Sequence, residues 1–221
     1  MNSKIDLLYM PEKTKSVFEI LSTQKFISNY TLVGGSALSI QIKHRLSEDL
    51  DFIYDGDVLN MTTIKRNINK TFTNYQIIKQ DSNYQIDFII NETKVTFFSS
   101  GAVLVPFNIL SYSFKYGKIN IARQDIIATL KLGAISQRNT IRDYYDLYFI
   151  SKNYISLYKI IEKTKKLMPN LSPITYIETL IYTKDIEEDD LSNHLFPKEK
   201  ITKQEISKYF INELRKIKNK I

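Results

Sequence analysis

An α/β domain followed by an α-helical one is the fold class that this sequence predicts, and three observations predict it. Between positions 31 and 98, short apolar and β-branched runs alternate with turn residues and with stretches of helical spacing. From Arg123 onward the pattern is almost wholly helical. The 221 residues, 43% of them hydrophobic, suffice for one large core or two small ones. The change of character near residue 121 gives domains at 1–121 and 122–221.

Residues 11–26 read as a helix, with Val17, Ile20, Leu21 and Phe26 inward and Lys13, Lys15 and Glu19 outward. Thr31, Leu32 and Val33 form a strand. Gly34, Gly35 and Ser36 make a turn into a helix over 37–42, and a second strand carries Asp49 and Asp51. Strand side chains alternate, so Asp49 and Asp51 project together while Leu50 and Phe52 face a core. Two neighbouring carboxylates repel each other unless a cation lies between them. A hard ion such as Mg²⁺ suits such an oxygen pair and leaves coordination places for phosphate oxygens. Gly34 and Gly35 allow close approach to the main chain, and Ser36 stands at a helix start, where free N–H groups favour an anion. A phosphate cradle and a metal clamp within one short stretch suit a nucleoside triphosphate with its magnesium.

The next segments are a helix over 58–72 (Leu59, Ile64, Ile68 and Phe72 inward), strands at 75–79, 84–91 and 93–98, a turn at 81–83 and a tight turn at Asn91-Glu92. Asp87 lies in the middle of the second of these strands, between Ile86 and Phe88, and shares its face with Gln85. A carboxylate in that position requires a partner, a metal or solvent. Residues 101–116 read as irregular and aromatic, with Phe107, Tyr112, Phe114 and Tyr116 covering a sheet edge, and 117–122 as a short strand or connection.

In the helical part, 125–137 is apolar on nearly all sides and therefore buried, yet it contains Lys131. A buried ammonium needs an anion, and either a carboxylate or a nucleotide phosphate would serve. Arg138 extends the same face. Thr140 with Asp143 has capping-box spacing, and Arg142 and Asp146 are spaced to pair on the following helix. The remainder reads as helices broken at Pro169, Pro173 and Pro197, with an acidic run at 185–190. A basic amphipathic helix closes the chain over 204–221, carrying Lys208, Arg215, Lys216, Lys218 and Lys220.

The stretch GGSALSIQIKHRLSEDLDF resembles the signature of the nucleotidyltransferase AbiEii/AbiGii toxin family: Gly34, Gly35, Ser36, Ala37 and Leu38, then His44, Arg45 and Ser47, then Asp49, Leu50, Asp51 and Phe52. A second stretch, KLGAISQRNTIRDYYDLYFI from Lys131, resembles that family's Lys-Leu-x-Ala…Arg-Asp-x-x-Asp-Leu-Tyr element. The resemblance implies a polymerase-β-like nucleotidyltransferase domain with a small mixed sheet, then a helical bundle. It implies Mg²⁺ (or Mn²⁺) on Asp49 and Asp51, with Asp87 as third carboxylate, and an NTP held by Gly34, Gly35, Ser36, Lys131 and Arg138. Arg45 lies near the nucleotide in that reading, or pairs with Glu48 or a site carboxylate. Asp143 and Asp146 are secondary site candidates. The implied acceptor is an RNA, such as tRNA, or a protein hydroxyl, and the implied partner is an antitoxin. The alternative is a catalytically weak nucleotide-binding or RNA-binding interaction protein of the same fold.

Composition narrows the chemistry further. Absence of cysteine excludes disulfides and thiolate metal sites, and two histidines are too few for a histidine-based zinc site. No run is long enough to span a membrane, and the first residues lack a signal-peptide pattern, so the expectation is a soluble, cytoplasmic chain. A net charge of +7 suits a polyanionic or acidic partner.

Overall fold

The period-2 segments of the first part assemble into one seven-stranded mixed sheet, ordered β3-β4-β5-β2-β1-β7-β6. The computed structural model describes residues 5–103, 105–188 and 190–218. The reading of positions 1–4 as lacking a leader pattern, the place of residue 189 in the acidic run and that of Lys220 in the terminal helix lie outside the described residues. The chain divides into two units, Met1–Arg123 and Gln124–Ile221.

In the first unit, helix α1 (Glu12–Thr23) leads to strand β1 (Tyr30–Val33), helix α2 (Gly34–Ile42), strand β2 (Leu50–Tyr54) and helix α3 (Met61–Thr71). Strands β3 (Tyr75–Asp81), β4 (Gln85–Ile90) and β5 (Thr93–Ser99) form an antiparallel meander, and β5 runs parallel to β2. Asn91 and Glu92 both take positive φ, 47° and 64°, which is the backbone a two-residue hairpin demands. Leu50, Phe52, Ile86, Phe88, Val95 and Phe97 fall on one face of the sheet, all at 0% exposure. The Phe52 and Phe97 rings stack at 5.3 Å, and Phe88 meets Phe97 edge-on. Burial of these rings fixes the register, because a one-residue slip would turn each of them to the opposite face.

Two expectations change here. The glycine turn does not exist as a separate element: β1 passes directly into α2, whose first residue is Gly34 at φ +71°. The aromatic stretch before Gly117 is partly ordered as strand β6 (Ser113–Tyr116), which pairs antiparallel with β7 (Ile119–Ala122). Its upstream end is fixed by the Asp55 carboxylate, which accepts from the backbone N–H groups of Ile109 (2.8 Å) and Leu110 (2.9 Å). A long-range anchor of that kind leaves no local sequence signal.

The second unit holds α4 (Gln124–Ile135), α5 (Ile141–Asn153), α6 (Leu157–Leu167), α7 (Pro173–Ile181) and α8 (Lys203–Ile217). Helix α4 packs on α5, α6 and α7, and α8 on α5 and α7. Leu132, Tyr144, Tyr145, Leu180 and Phe210 make its core at 0% exposure. Pro173 begins α7 instead of interrupting a helix, since proline at the first helical position sacrifices no hydrogen bond. Helix α8 opens with a complete capping box between Thr202 and Glu205. Among the described residues no helix is long and apolar enough to cross a membrane.

Candidate active site

The sharp passage from β1 into α2 sets the geometry of Gly34 and Gly35. Gly34 takes a left-handed backbone, and a Cβ on it would come within 2.8 Å of Asp51 Oδ2. The Asp51 carboxylate therefore lies directly over the first residue of α2. Helix starts leave backbone N–H groups without intrahelical acceptors. Gly35 is packed from behind: a Cβ there would meet Arg45 Nη2 at 2.5 Å and Ser47 Oγ at 2.7 Å. Arg45 is only 2% exposed, and its Nη1 donates to the Leu46 carbonyl at 2.8 Å, so the buried guanidinium packs behind Gly35 at the start of α2. The Ser36 hydroxyl, also buried, donates to the Asp49 carbonyl oxygen, tying the first turn of α2 to the residue before β2. Asp49 and Asp51 are half-buried, whereas His44 is wholly enclosed.

Register then places a row of polar side chains across the sheet. Asp51 of β2 is opposite Thr96 of β5, Thr96 is opposite Asp87 of β4, and Asp87 is opposite Lys79 of β3. Side chains in register share a face, so Asp51 and Asp87 stand on the same side of the sheet with Thr96 between them. Two strand spacings put their backbones roughly 10 Å apart. Strand β5 thus separates the strand of Asp87 from that of Asp51. Asp87 is 3% exposed. Gln85 Nε2 donates to its Oδ1 at 2.7 Å, and Lys94 Nζ lies 3.4 Å from its Oδ2.

An oxygen-only donor set suits a hard divalent cation. Asp51 over the glycine of the helix start fits that requirement, since a side chain at position 34 would fill the space against the carboxylate, while Asp49, expected on the same strand, stands just before β2. Among the described residues, no three of His, Cys, Asp and Glu are gathered as a metal-holding group, so Asp87 is not drawn together with Asp49 and Asp51.

The second unit carries its own charged cluster. Lys131, 6% exposed on α4, meets Asp143 Oδ1 at 2.6 Å and Asp146 Oδ2 at 2.7 Å. Arg138 donates from Nε to Asp143 Oδ2 at 2.8 Å and from Nη2 to Oδ1 at 3.3 Å. Burial pushes the Asp143 carboxyl up, but the Lys131 and Arg138 cations outweigh it and hold it below its ordinary value. Arg138 does not continue the α4 face; it lies beyond the helix end, where its N–H bonds the Ala134 carbonyl at 3.0 Å. Thr140 is the N-cap of α5, yet its hydroxyl donates to Asp143 Oδ2 at 2.8 Å instead of capping the backbone. Asp146 faces Lys131 inside the unit, while Arg142 points outward and is exposed.

Lys94 and Thr96 escaped the sequence reading. Period 2 over 93–98 sets them on one face, but only the β2–β5–β4 order shows that this face carries Asp51 and Asp87.

A model of the family described as nucleotidyl transferase AbiEii toxin, type IV TA system, matches residues 16–190. An uncharacterized protein of Aquifex aeolicus (strain VF5) is 26% identical over 210 residues, spanning 92% of this chain and 98% of the relative. Two solved structures share the architecture. One is an H. pylori protein provisionally described as a nucleotidyltransferase (TM-score 0.55, 16% identity, 95% of this chain and 98% of that one). The other is MenT4, a nucleotidyltransferase toxin from Mycobacterium tuberculosis H37Rv (TM-score 0.50, 11% identity, 93% and 88%). The common architecture is the polymerase-β-like nucleotidyltransferase fold.

Proposed function

This chain belongs to the nucleotidyl transferase AbiEii toxin family, and from that membership we propose that it transfers a nucleoside monophosphate from an NTP to a hydroxyl of RNA or protein. The observation that carries this reading is the position of Asp51 over Gly34, within 2.8 Å of where a Cβ would stand. A carboxylate and a helix start, one suited to a cation and the other to an anion, then adjoin at one point.

In this reading Asp49 and Asp51 hold a divalent cation, Mg²⁺ or Mn²⁺, and Asp87 supplies a third carboxylate on the same sheet face. The bound cation neutralises charge that develops on the triphosphate. The main-chain N–H groups at Gly35 and Ser36 receive phosphate oxygens, with Arg45 bracing the backbone that presents them. The acceptor oxygen forms a bond to the α-phosphorus, the bond from that phosphorus to the bridging oxygen breaks, and pyrophosphate leaves. The acceptor's proton passes to a neighbouring carboxylate or to solvent. Within the helical unit Lys131 is held by Asp143 and Asp146 and Arg138 by Asp143, so a phosphate contact from either cation would require exchange of those carboxylates. tRNA is the RNA acceptor proposed, and an antitoxin the cellular partner.

The test is transfer of label. Purified protein is incubated with Mg²⁺, each α-labelled NTP in turn, and total RNA or lysate protein, beside Asp51→Asn. Label should reach a macromolecule with the parent chain and fall at least about a hundredfold in the variant, the scale expected when a metal-holding carboxylate is lost. Equal labelling by both proteins, with the variant folded, would remove Asp51 from the chemistry. No label with any NTP, in Mg²⁺ or Mn²⁺, would favour the nucleotide-binding alternative.

A further inference from the structure

The sheet face that carries Asp51 and Asp87 also carries a cation that the proposed chemistry leaves unused. Lys94 of β5 shares this face with Thr96, two residues further along the strand. Its ammonium lies 3.4 Å from Asp87 Oδ2, while Gln85 Nε2 holds the other oxygen at 2.7 Å. The Asp87 side chain is 5% exposed and that of Lys94 is 42% exposed. A carboxylate enclosed to this degree needs its charge balanced, and both its oxygens already have protein partners.

We propose that Lys94 is a built-in counter-cation for Asp87 that competes with the divalent ion for this carboxylate. It is a positioning residue and touches no reacting atom. While Lys94 stays on Asp87, the third carboxylate is neutralised and cation binding rests on Asp49 and Asp51. When a phosphate-bearing ligand draws the lysine away, Asp87 becomes available to the ion. The chemistry permits this exchange, because an ammonium on a flexible four-carbon stem pairs equally with a carboxylate or a phosphate oxygen. The half-open position of Lys94 leaves it reachable by such a ligand, and Gln85 keeps Asp87 oriented in the meantime. The inference rests on the metal reading of Asp49 and Asp51.

Manganese binding tests it without any need for turnover. Mn²⁺ is titrated into the full chain and followed by calorimetry or by loss of the free-ion EPR signal, for the parent, Lys94→Met, Lys94→Arg and Asp51→Asn. Removal of a competing cation beside a buried carboxylate should tighten Mn²⁺ binding in Lys94→Met by about tenfold. Lys94→Arg, which keeps the charge, should stay near the parent. Addition of a non-hydrolysable NTP should narrow the gap between parent and Lys94→Met, because the phosphates already draw the lysine off. Unchanged or weaker binding in Lys94→Met, with the variant folded by circular dichroism, overturns the proposal. If the parent and Asp51→Asn bind Mn²⁺ alike, the metal reading itself fails and the competing role of Lys94 falls with it. If Asp51→Asn alone loses the ion, the metal reading stands and Lys94 is decided separately.

Discussion

Gly34 is the residue on which the most geometry depends. Its φ of +71° is closed to side-chain-bearing residues at a cost of roughly 1–2 kcal/mol. The space where a Cβ would sit is bounded by Asp51 Oδ2 at 2.8 Å. An alanine must therefore move the carboxylate or the start of α2, and neither move preserves their juxtaposition. Gly34→Ala should lower the melting temperature by several degrees and weaken Mn²⁺ binding and nucleotidyl transfer at least about tenfold, since sub-ångström misplacement at a reacting site is costly. Transfer at parental level in a folded Gly34→Ala protein would show that this contact does not serve the chemistry. The sequence indicated a special backbone here through its paired glycines, but the partner at close range, Asp51, became visible only with the strand pairing.

Strands and helices with strong local periodicity were legible, and those fixed by distant contacts were not. The alternation in β4 and β5 and the Asn91-Glu92 turn located the hairpin that bears Asp87. Strand order was not legible, so the placement of β5 between the two aspartate-bearing strands, and with it Lys94 and Thr96, was lost. Helix α4 shows the same divide. Its apolar pattern identified a buried lysine, and two anions were open to it; the structure gives Asp143 and Asp146 of α5. That pairing joins two helices through a charge cluster with almost no solvent. Lys131→Met leaves buried carboxylates short of a cation and should destabilise the helical unit by about 3–5 kcal/mol. Arg138→Met removes a cation whose side chain is 62% exposed, and the loss should stay within about 1 kcal/mol. Denaturant unfolding of the two variants measures both. Equal small losses would mean that the cluster contributes little to joining α4 to α5.

Over the whole molecule these enclosed groups set how stability depends on pH, and the two limbs have different origins. Asp143 has a folded pKa held below its unfolded value, so its contribution is present above the ordinary carboxylate range and disappears as pH falls through the lowered value. Acid should therefore release the helical unit at a pH below the usual aspartate titration. The alkaline limb comes from tyrosines. Burial, and then Tyr54, push Tyr30 up to about 12, while burial, and then Glu162, push Tyr176 up to about 12. A raised phenol favours the protonated fold below pH 10, and that stability is lost as pH rises from 10 through 12. For Tyr30 alone the loss is on the order of 2–3 kcal/mol. Tyr30 lies on β1, against the Phe97 ring at 5.0 Å, so its ionisation would place a charge within the aromatic face of the sheet. Tyr30→Phe removes the ionisable group and keeps the ring. Its melting temperature should match the parent within a few degrees at pH 7 and fall less steeply between pH 10 and 12. An identical alkaline decline in both proteins would assign that limb to Tyr176 and the remaining buried phenols instead.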